Sequence, residues 1–596
     1  MRVWLLLAIG VLLAPLAGCG VFGGPDPADT ATAFLDAVAR GDVSAAGRLT
    51  DDPAAAAELI RQVRGAVEPQ RVWLALEQTR PSEQVATASF AATWQLGKGR
   101  QWRYRGSFDL ARTDTEAGWS VRWSPAVLHP RLAAQQTVVF REEQPDPAPV
   151  VDRDGTALLS AETVVSVVLD PAQALAVAGP LASALNRFDE RITEQSIIDG
   201  ARSVPAGQGY PVAVLREVDY QTVRDQIYEL PGVTFPTQQR LLGPDRDFAS
   251  QLLPGVRTAL EEQLAGAAGW RIVTVNAVGT QVATLAEQPP KPAPTVSTTL
   301  SRTVQAAAED ALEAVPQQAM IVALQPSTGD VLAVAQNAPA DTAGAVSLTG
   351  RYPPGSTFKI VTAAAALESG EMALETPVDC PATTTIDGRV IPNIDRFELG
   401  TVPFRTAFAR SCNTTFSKLA AGFAPGQLTG TARQLGIGMD FDIAGITTLT
   451  GQVPAAEQVV QRAENGFGQG NVLTTPFGMA LVTATAANGG RVPTPALIRG
   501  MPTSVSGAAG APLPAPVADA LTVMMRQVVT GGTGTALADL GEVHGKTGTA
   551  EYSSTGSHGW FVGFRGDLAF AVLVVDGGSS GPAVEAARRF LTAAGG

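Results

Sequence analysis

Residues 351–360 read RYPPGSTFKI and run directly into VTAAAALESG at 361–370. Two prolines and a glycine discourage helix as far as residue 355, so a helix in this stretch starts close to Ser356. The run that follows is apolar on nearly every side, as in a helix buried in the middle of a domain. Ser356 and Lys359, three residues apart, share a helical face. The hydroxyl then sits at the positive end of the helix dipole, where backbone N–H groups can hold a developing oxyanion. The lysine is conspicuous. Of 43 lysines and arginines in the chain only Lys98, Lys291, Lys359, Lys418 and Lys546 are lysines. Where a chain writes arginine for simple positive charge, a retained lysine points to what arginine cannot do, which is to lose its proton. Neutrality at pH 7 requires lowering its pKa from about 10.4 to about 7, at a cost of roughly 4 kcal/mol. Burial and a neighbouring cation can supply that.

Ser-x-x-Lys alone recurs by chance and would then describe a helix start with a snorkelling lysine. Two later motifs change its meaning: Ser411-Cys412-Asn413, and Lys546-Thr547-Gly548-Thr549. GEVHGKTG at 541–548 imitates a phosphate-binding loop, but the first glycine of such a loop, separated by four residues from Gly545, would fall at 540, which is Leu540. The segment that follows, TAEYSSTGSHGWFVGF, is strand-like and turn-rich, whereas a phosphate loop opens a helix. Nucleotide binding is rejected. As a strand, this segment projects a cation and hydroxyls at a substrate carboxylate, and Gly548 lets another backbone approach.

At 596 residues, with 45% hydrophobic and 17% charged residues, the chain has room for three or four ordinary globular domains. A net charge of −13 and no basic block argue against nucleic acid as a partner. Three histidines and three cysteines, none at metal-ligand spacing, predict no metal and no cofactor. Residues 26–140 begin helical and turn to tryptophan-bearing alternating strands, and the scattered tryptophans read as core. EEQPDPAP at 142–149 breaks this unit from a mixed region at 150–290, and EQPPKPAPTVST at 287–298 leads to a last unit at 295–596. Strands at both ends of that last unit flank a helical middle, which predicts an antiparallel sheet covered by helices.

In order and content the three motifs match the set of the penicillin-recognising serine enzymes. GRYPPGSTFKI, ARSCNTTF, GFGQGNVLTTPFGMA, GGTGTA, HGKTGTAEY and HGWFVGF resemble the transpeptidase domain of penicillin-binding proteins over about 295–596. VVDRDGTAL resembles the start of the pedestal, or dimerisation, domain of class B members. Residues 26–140 resemble the NTF2-like N-terminal domain of the MecA-like branch. The resemblance implies a multidomain α+β fold with a serine β-lactamase-like C-terminal domain. It also implies peptidoglycan stem peptides as substrate and β-lactams as ligands. In these roles Ser356 attacks the penultimate D-Ala carbonyl, Lys359 takes the proton, Ser411 relays one to the leaving amine, and Asn413 anchors Lys359 and the substrate amide. Backbone N–H groups of Ser356 and Thr549 form the oxyanion hole. Lys546, Thr547, Gly548 and Thr549 hold the terminal carboxylate, and an amine of a neighbouring stem completes the cross-link. Cys412 stands where many relatives carry aspartate.

The opening MRVWLLLAIGVLLAPLAGCG resembles a lipoprotein signal peptide over 1–19, with Leu16-Ala17-Gly18-Cys19 as lipobox and Cys19 lipid-modified. The alternative is an uncleaved membrane helix from Val3 to about Gly24. Either places the chain at the outer face of the cytoplasmic membrane, with proteins of a cell-wall synthesis complex as further partners. Export and lipidation of Cys19 would leave Cys380 and Cys412 to pair as a disulfide. Two other functions compete with the transpeptidase. One is a D,D-carboxypeptidase or β-lactamase, for which Glu464 lies in the right stretch but in transpeptidase-like surroundings. The other is a non-catalytic sensor or scaffold, which would leave the motifs degenerate.

Overall fold

The computed structural model describes residues 25–114, 118–205, 207–506, 510–553 and 556–595. Cys19 and the rest of the lipobox lie outside these residues. Among the described residues no helix is long and apolar enough to cross a membrane. The chain divides into two compact units.

The first unit takes the chain up to Pro145 together with Ala267–Lys291. Its two longer helices, Pro27–Arg40 and Pro53–Val67, each start at an Asp-Pro pair. The aspartate side chain accepts a backbone N–H, and the proline occupies a position where no N–H is needed. Four consecutive antiparallel strands, Arg71–Pro81, Val85–Gln95, Gln101–Arg112 and Trp119–Val121, form the main sheet. In the second of these, Ala86, Ala88, Phe90, Ala92 and Trp94 point inward at period two. They pack with Phe34, Trp102 and Phe108. Trp73 departs from the all-core expectation: it is 48% exposed, with the Arg71 guanidinium 5.5 Å above its ring. Residues 267–291 correct the linear boundary at 290. Strand Gly269–Val275 pairs with Thr137–Glu143 and with Gln281–Gln288, and this pairing places the segment in the first unit rather than in the middle region.

The second unit joins the rest of the middle region to the C-terminal part. Its link is Asp152, buried, whose Oδ1 accepts from the N–H groups of Asp154 and Thr156. Oδ2 accepts from Arg302 N at 3.0 Å, so this turn also fixes the start of the helix Arg302–Glu313. In the C-terminal part, β1 (Ala319–Leu324), β2 (Val331–Gln336), β3 (Val543–Glu551), β4 (Ser557–Arg565) and β5 (Leu568–Val574) form one antiparallel sheet in the order β2-β1-β5-β4-β3. Helices cover both faces. Ile321, Phe561 and Phe570 pack with the helices Arg302–Glu313 and Gly581–Ala593. Met320, Val322 and Val562 face a larger core. That core holds α1 (Lys359–Glu368), α2 (Asn413–Gly422) and α4 (Pro476–Ala487), with α3 (Val459–Asn465) beside α2. β3 is an edge strand. One side of its backbone pairs with β4 and the other is left to face what lies beyond the sheet.

Candidate active site

A 3₁₀ turn, Gly355–Phe358, lies against that free edge and leads into α1. Two glycines permit the approach. A Cβ on Gly355, whose φ is +52°, would stand 2.5 Å from Thr549 O, and one on Gly548 would meet Pro354 O at 2.9 Å. Trp560 Nε1 donates to Pro353 O at 3.0 Å, and Gly355 N donates to Gly468 O at 2.9 Å, so both flanks of the turn are tied down. Trp560 is fully buried and serves packing. Ser356 is thereby held beside Thr549 and is 6% exposed.

Lys359, in the first turn of α1, is completely buried. Its Nζ lies 2.6 Å from Asn413 Oδ1, 2.8 Å from Ser411 O, 3.0 Å from Ser356 Oγ and 3.3 Å from Ser411 Oγ. The first two partners are oxygens that only accept. A neutral amine has two hydrogens, and those two oxygens use both, so its lone pair is directed at the hydroxyl side of the site, where Ser356 Oγ is nearest. Burial, and then the charge of Lys546, push the Lys359 ammonium well below its ordinary pKa. The Phe416 ring, 5.6 Å away, supplies part of the apolar wall.

Ser411 ends the short helix Phe404–Ala409 in the left-handed region, at φ +62°. For a residue with a side chain that costs on the order of 1–3 kcal/mol. The conformation turns both Oγ and the carbonyl toward Lys359. Immediately after it, a disulfide joins Cys412 to Cys380 at the end of strand Pro377–Cys380. Asn413 then opens α2, with Nδ2 donating to Pro392 O at 3.2 Å.

Lys546 projects from β3 and is likewise fully buried, its pKa pushed down to about 7 by desolvation. It donates to Ser411 Oγ at 3.0 Å and to Thr547 O at 3.1 Å. Ser411 Oγ therefore bridges the two lysines. Lys546 lies on a strand, as the sequence reading required against a phosphate loop. Thr547 Oγ1 contacts Thr533 Oγ1 at 2.5 Å. Thr533 belongs to the GGTGTA segment, and nothing in the sequence marked it as part of the site. A Cβ on Gly532 would meet Ala409 O at 2.3 Å, which is the closeness that brings Thr533 in. Sequence reasoning also missed Arg389, whose Nε lies 3.1 Å from Glu464 Oε1. Ser356, Asn413, Thr549, Arg389, Glu464 and Glu551 line one cleft of about 450 Å³. Among the described residues no cluster of histidine, cysteine and carboxylate side chains could hold a metal ion. A hydroxyl beside a buried amine whose pKa is pushed well down, backed by a second lysine and an open strand edge, is suited to acyl transfer.

Residues 319–592 match the penicillin-binding protein transpeptidase domain, and 26–136 match an NTF2-like N-terminal transpeptidase domain. The chain is 31% identical over 339 residues to peptidoglycan D,D-transpeptidase PbpA of Mycolicibacterium smegmatis, covering 48% of this chain and 67% of that protein. It is 28% identical over 334 residues to PbpA of Mycobacterium tuberculosis, covering 47% and 67%. Among solved structures it resembles a chain described under the structural coordination of polymerization and crosslinking by a peptidoglycan synthase complex. That likeness has a TM-score of 0.57 and 24% identity over 77% of this chain and 91% of the other, and it concerns the fold.

Proposed function

The chain belongs to the penicillin-binding protein transpeptidases, and from that premise we propose how its own residues carry out peptidoglycan cross-linking. It is a D,D-transpeptidase, an acyl-transfer enzyme acting outside the cytoplasm. Ser356 gives its proton to the Lys359 lone pair and attacks the carbonyl of the penultimate D-Ala. The oxyanion is received by the N–H groups of Ser356 and Thr549 at the free edge of β3. Lys359, now charged, returns the proton through Ser411 Oγ to the departing D-Ala amine. Lys546, Thr547 and Thr549 hold the terminal carboxylate, and the carboxylate in turn favours the charged form of Lys546. An amine of a second stem peptide then takes the acyl group by the reverse proton path. β-Lactams enter the same site as acylating analogues of the D-Ala pair. Anchoring through a lipid on Cys19 is part of the proposal. It rests on the Leu-Ala-Gly-Cys sequence, and mass spectrometry of membrane-extracted protein tests it, since an intact Met1–Gly24 segment would refute it.

The observation that carries this reading is the set of four contacts around Lys359 Nζ, which leaves a neutral amine's lone pair for Ser356. The test is covalent labelling with a fluorescent penicillin. Wild type should label stoichiometrically, and Ser356→Ala, folded, should not. Undiminished labelling of that variant would move the nucleophile elsewhere.

A further inference from the structure

The middle region of the second unit carries a groove that the acylation steps do not use. Strand Ala157–Leu169 pairs with Tyr210–Arg216 on one side and with Thr237–Leu242 on the other, and Val164 stands opposite both Arg216 and Gln238. Alternation therefore puts Glu162, Val164, Val214, Arg216 and Arg240 on one face of this sheet. The opposite face, with Val165, Val167 and Leu215, packs with the helices Ala174–Leu185 and Glu217–Ile227. On the first face a cavity of about 310 Å³ opens between the sheet and the start of the helix Leu253–Leu264. Four of its lining residues are arginines, Arg216, Arg240, Arg246 and Arg257. In a chain of net charge −13 this is a local reversal of sign.

Only one of the four has its charge paired. Arg216 Nη1 meets Glu162 Oε2 at 3.0 Å and Nη2 donates to Gly243 O at 2.7 Å, so this arginine braces the wall. Arg246 uses a single nitrogen, Nη1, on Phe188 O at 2.7 Å. Nε and Nη2 of Arg240 reach a neutral acceptor, the side-chain oxygen of Gln238. Arg257 has no hydrogen-bond or ion-pair partner among the described residues, and there Arg240 and Arg246 form no ion pair either. Asp245 is the one carboxylate in the lining, and its Oδ1 is turned to the backbone N–H groups of Asp247 and Phe248. Three like charges around one cavity repel one another unless an anion is shared between them. A single carboxylate brings one charge, whereas two linked phosphates bring about three, with oxygens on every side for guanidinium forks. The volume suits a compact group rather than an extended acidic chain. Apolar surface adjoins the arginines at Val214, 39% exposed, and at the exposed Pro254. We propose that this groove binds a ligand bearing a diphosphate group, with Arg240, Arg246 and Arg257 on the phosphate oxygens and the carrier of the diphosphate against Val214 and Pro254.

Inorganic pyrophosphate is the probe, titrated calorimetrically into the full chain in detergent without divalent cations. Wild type is expected to bind it, with orthophosphate at least about tenfold weaker. Arg246→Gln and Arg257→Gln, both at exposed positions, should each weaken pyrophosphate by at least about tenfold with the melting temperature unchanged. Arg224→Gln, on the helix Glu217–Ile227, removes the same charge outside the groove and should leave the affinity as it is. An equal loss in that variant would reduce the effect to overall charge and overturn the proposal. So would a wild type that binds no pyrophosphate, or one that binds a hexaglutamate peptide more tightly, which would make the occupant an acidic segment of a protein. Dimethylallyl diphosphate distinguishes the carrier. Tighter binding than pyrophosphate assigns a lipid-linked diphosphate and equal binding a water-soluble one, both of which uphold the site, whereas weaker binding overturns it because no carrier would then fit beside Val214 and Pro254.

Discussion

Lys359 separates a structural cation from a base. Arginine at that position would keep the charge, much of the length and the helix propensity, so a role in packing or ion pairing would survive the change. A guanidinium stays protonated above about pH 12 and offers no lone pair. Lys359→Arg should therefore fold and acylate penicillin at least about 10²-fold more slowly, while Lys418→Arg, at an exposed position on α2, changes little. Near-normal acylation in the first variant would send the proton to another group. The second lysine sets the working pH of the first. The base must be neutral, so acylation is present above the pKa of Lys359 and lost as pH falls through it. Lys546 helps to lower that pKa by its charge. In Lys546→Gln the charge is gone, the pKa of Lys359 rises, and the rising limb of the acylation profile should shift to higher pH. An unmoved midpoint would show that the two sites are uncoupled.

At the scale of elements the site is a meeting of three segments, each held by a device that the motifs do not spell out. The 3₁₀ turn reaches β3 because two glycines face it. In Gly355→Ala the Cβ would stand 2.5 Å from Thr549 O, at a φ of +52° that side chains rarely adopt. That change should slow acylation and lower the melting temperature together, and normal kinetics would show that the turn can retreat without harm. The loop that carries Ser411 is held by Cys380–Cys412, a closure of 32 residues worth roughly 3–4 kcal/mol in the chain-entropy model. Cys380→Ser should cost stability of that order in denaturant titration. It should also slow acylation, because the left-handed Ser411 loses its neighbouring clamp, and a variant that is destabilised yet fully active would confine the bond to stability. These devices were only partly legible. Catalytic side chains announce themselves because chemistry restricts their type and spacing. Thr533 and Arg389 are ordinary residues whose importance comes from what lies across the cleft. Likewise no local pattern in WRIVTV at 270–275 tells that its partner is Thr137–Glu143.

Across the whole molecule, burying two lysines in one site is a cost that the rest of the fold must offset. The sheet and its helices could be anticipated from hydrophobic period and turn chemistry because burial fixes those patterns. The cost of the site could be anticipated only in sign. In the unfolded chain each lysine holds its proton up to about pH 10.4. In the folded chain Lys546 releases its proton near 7, and Lys359 releases its own well below the ordinary value. Between those limits the unfolded state binds more protons than the folded one, so stability rises with pH across the window from about 7 to about 10 and is lost as pH falls back through it. Replacing Lys546 with methionine removes one of the two titrations and leaves an apolar group among apolar walls. The variant should be more stable than wild type near pH 7, with an advantage that shrinks toward pH 10, measured by denaturant unfolding at a series of pH values. Parallel pH dependences in the two proteins would mean that Lys546 keeps its proton on folding, and the account of a paired, partly neutral lysine site would have to be replaced by one with a buried counter-charge.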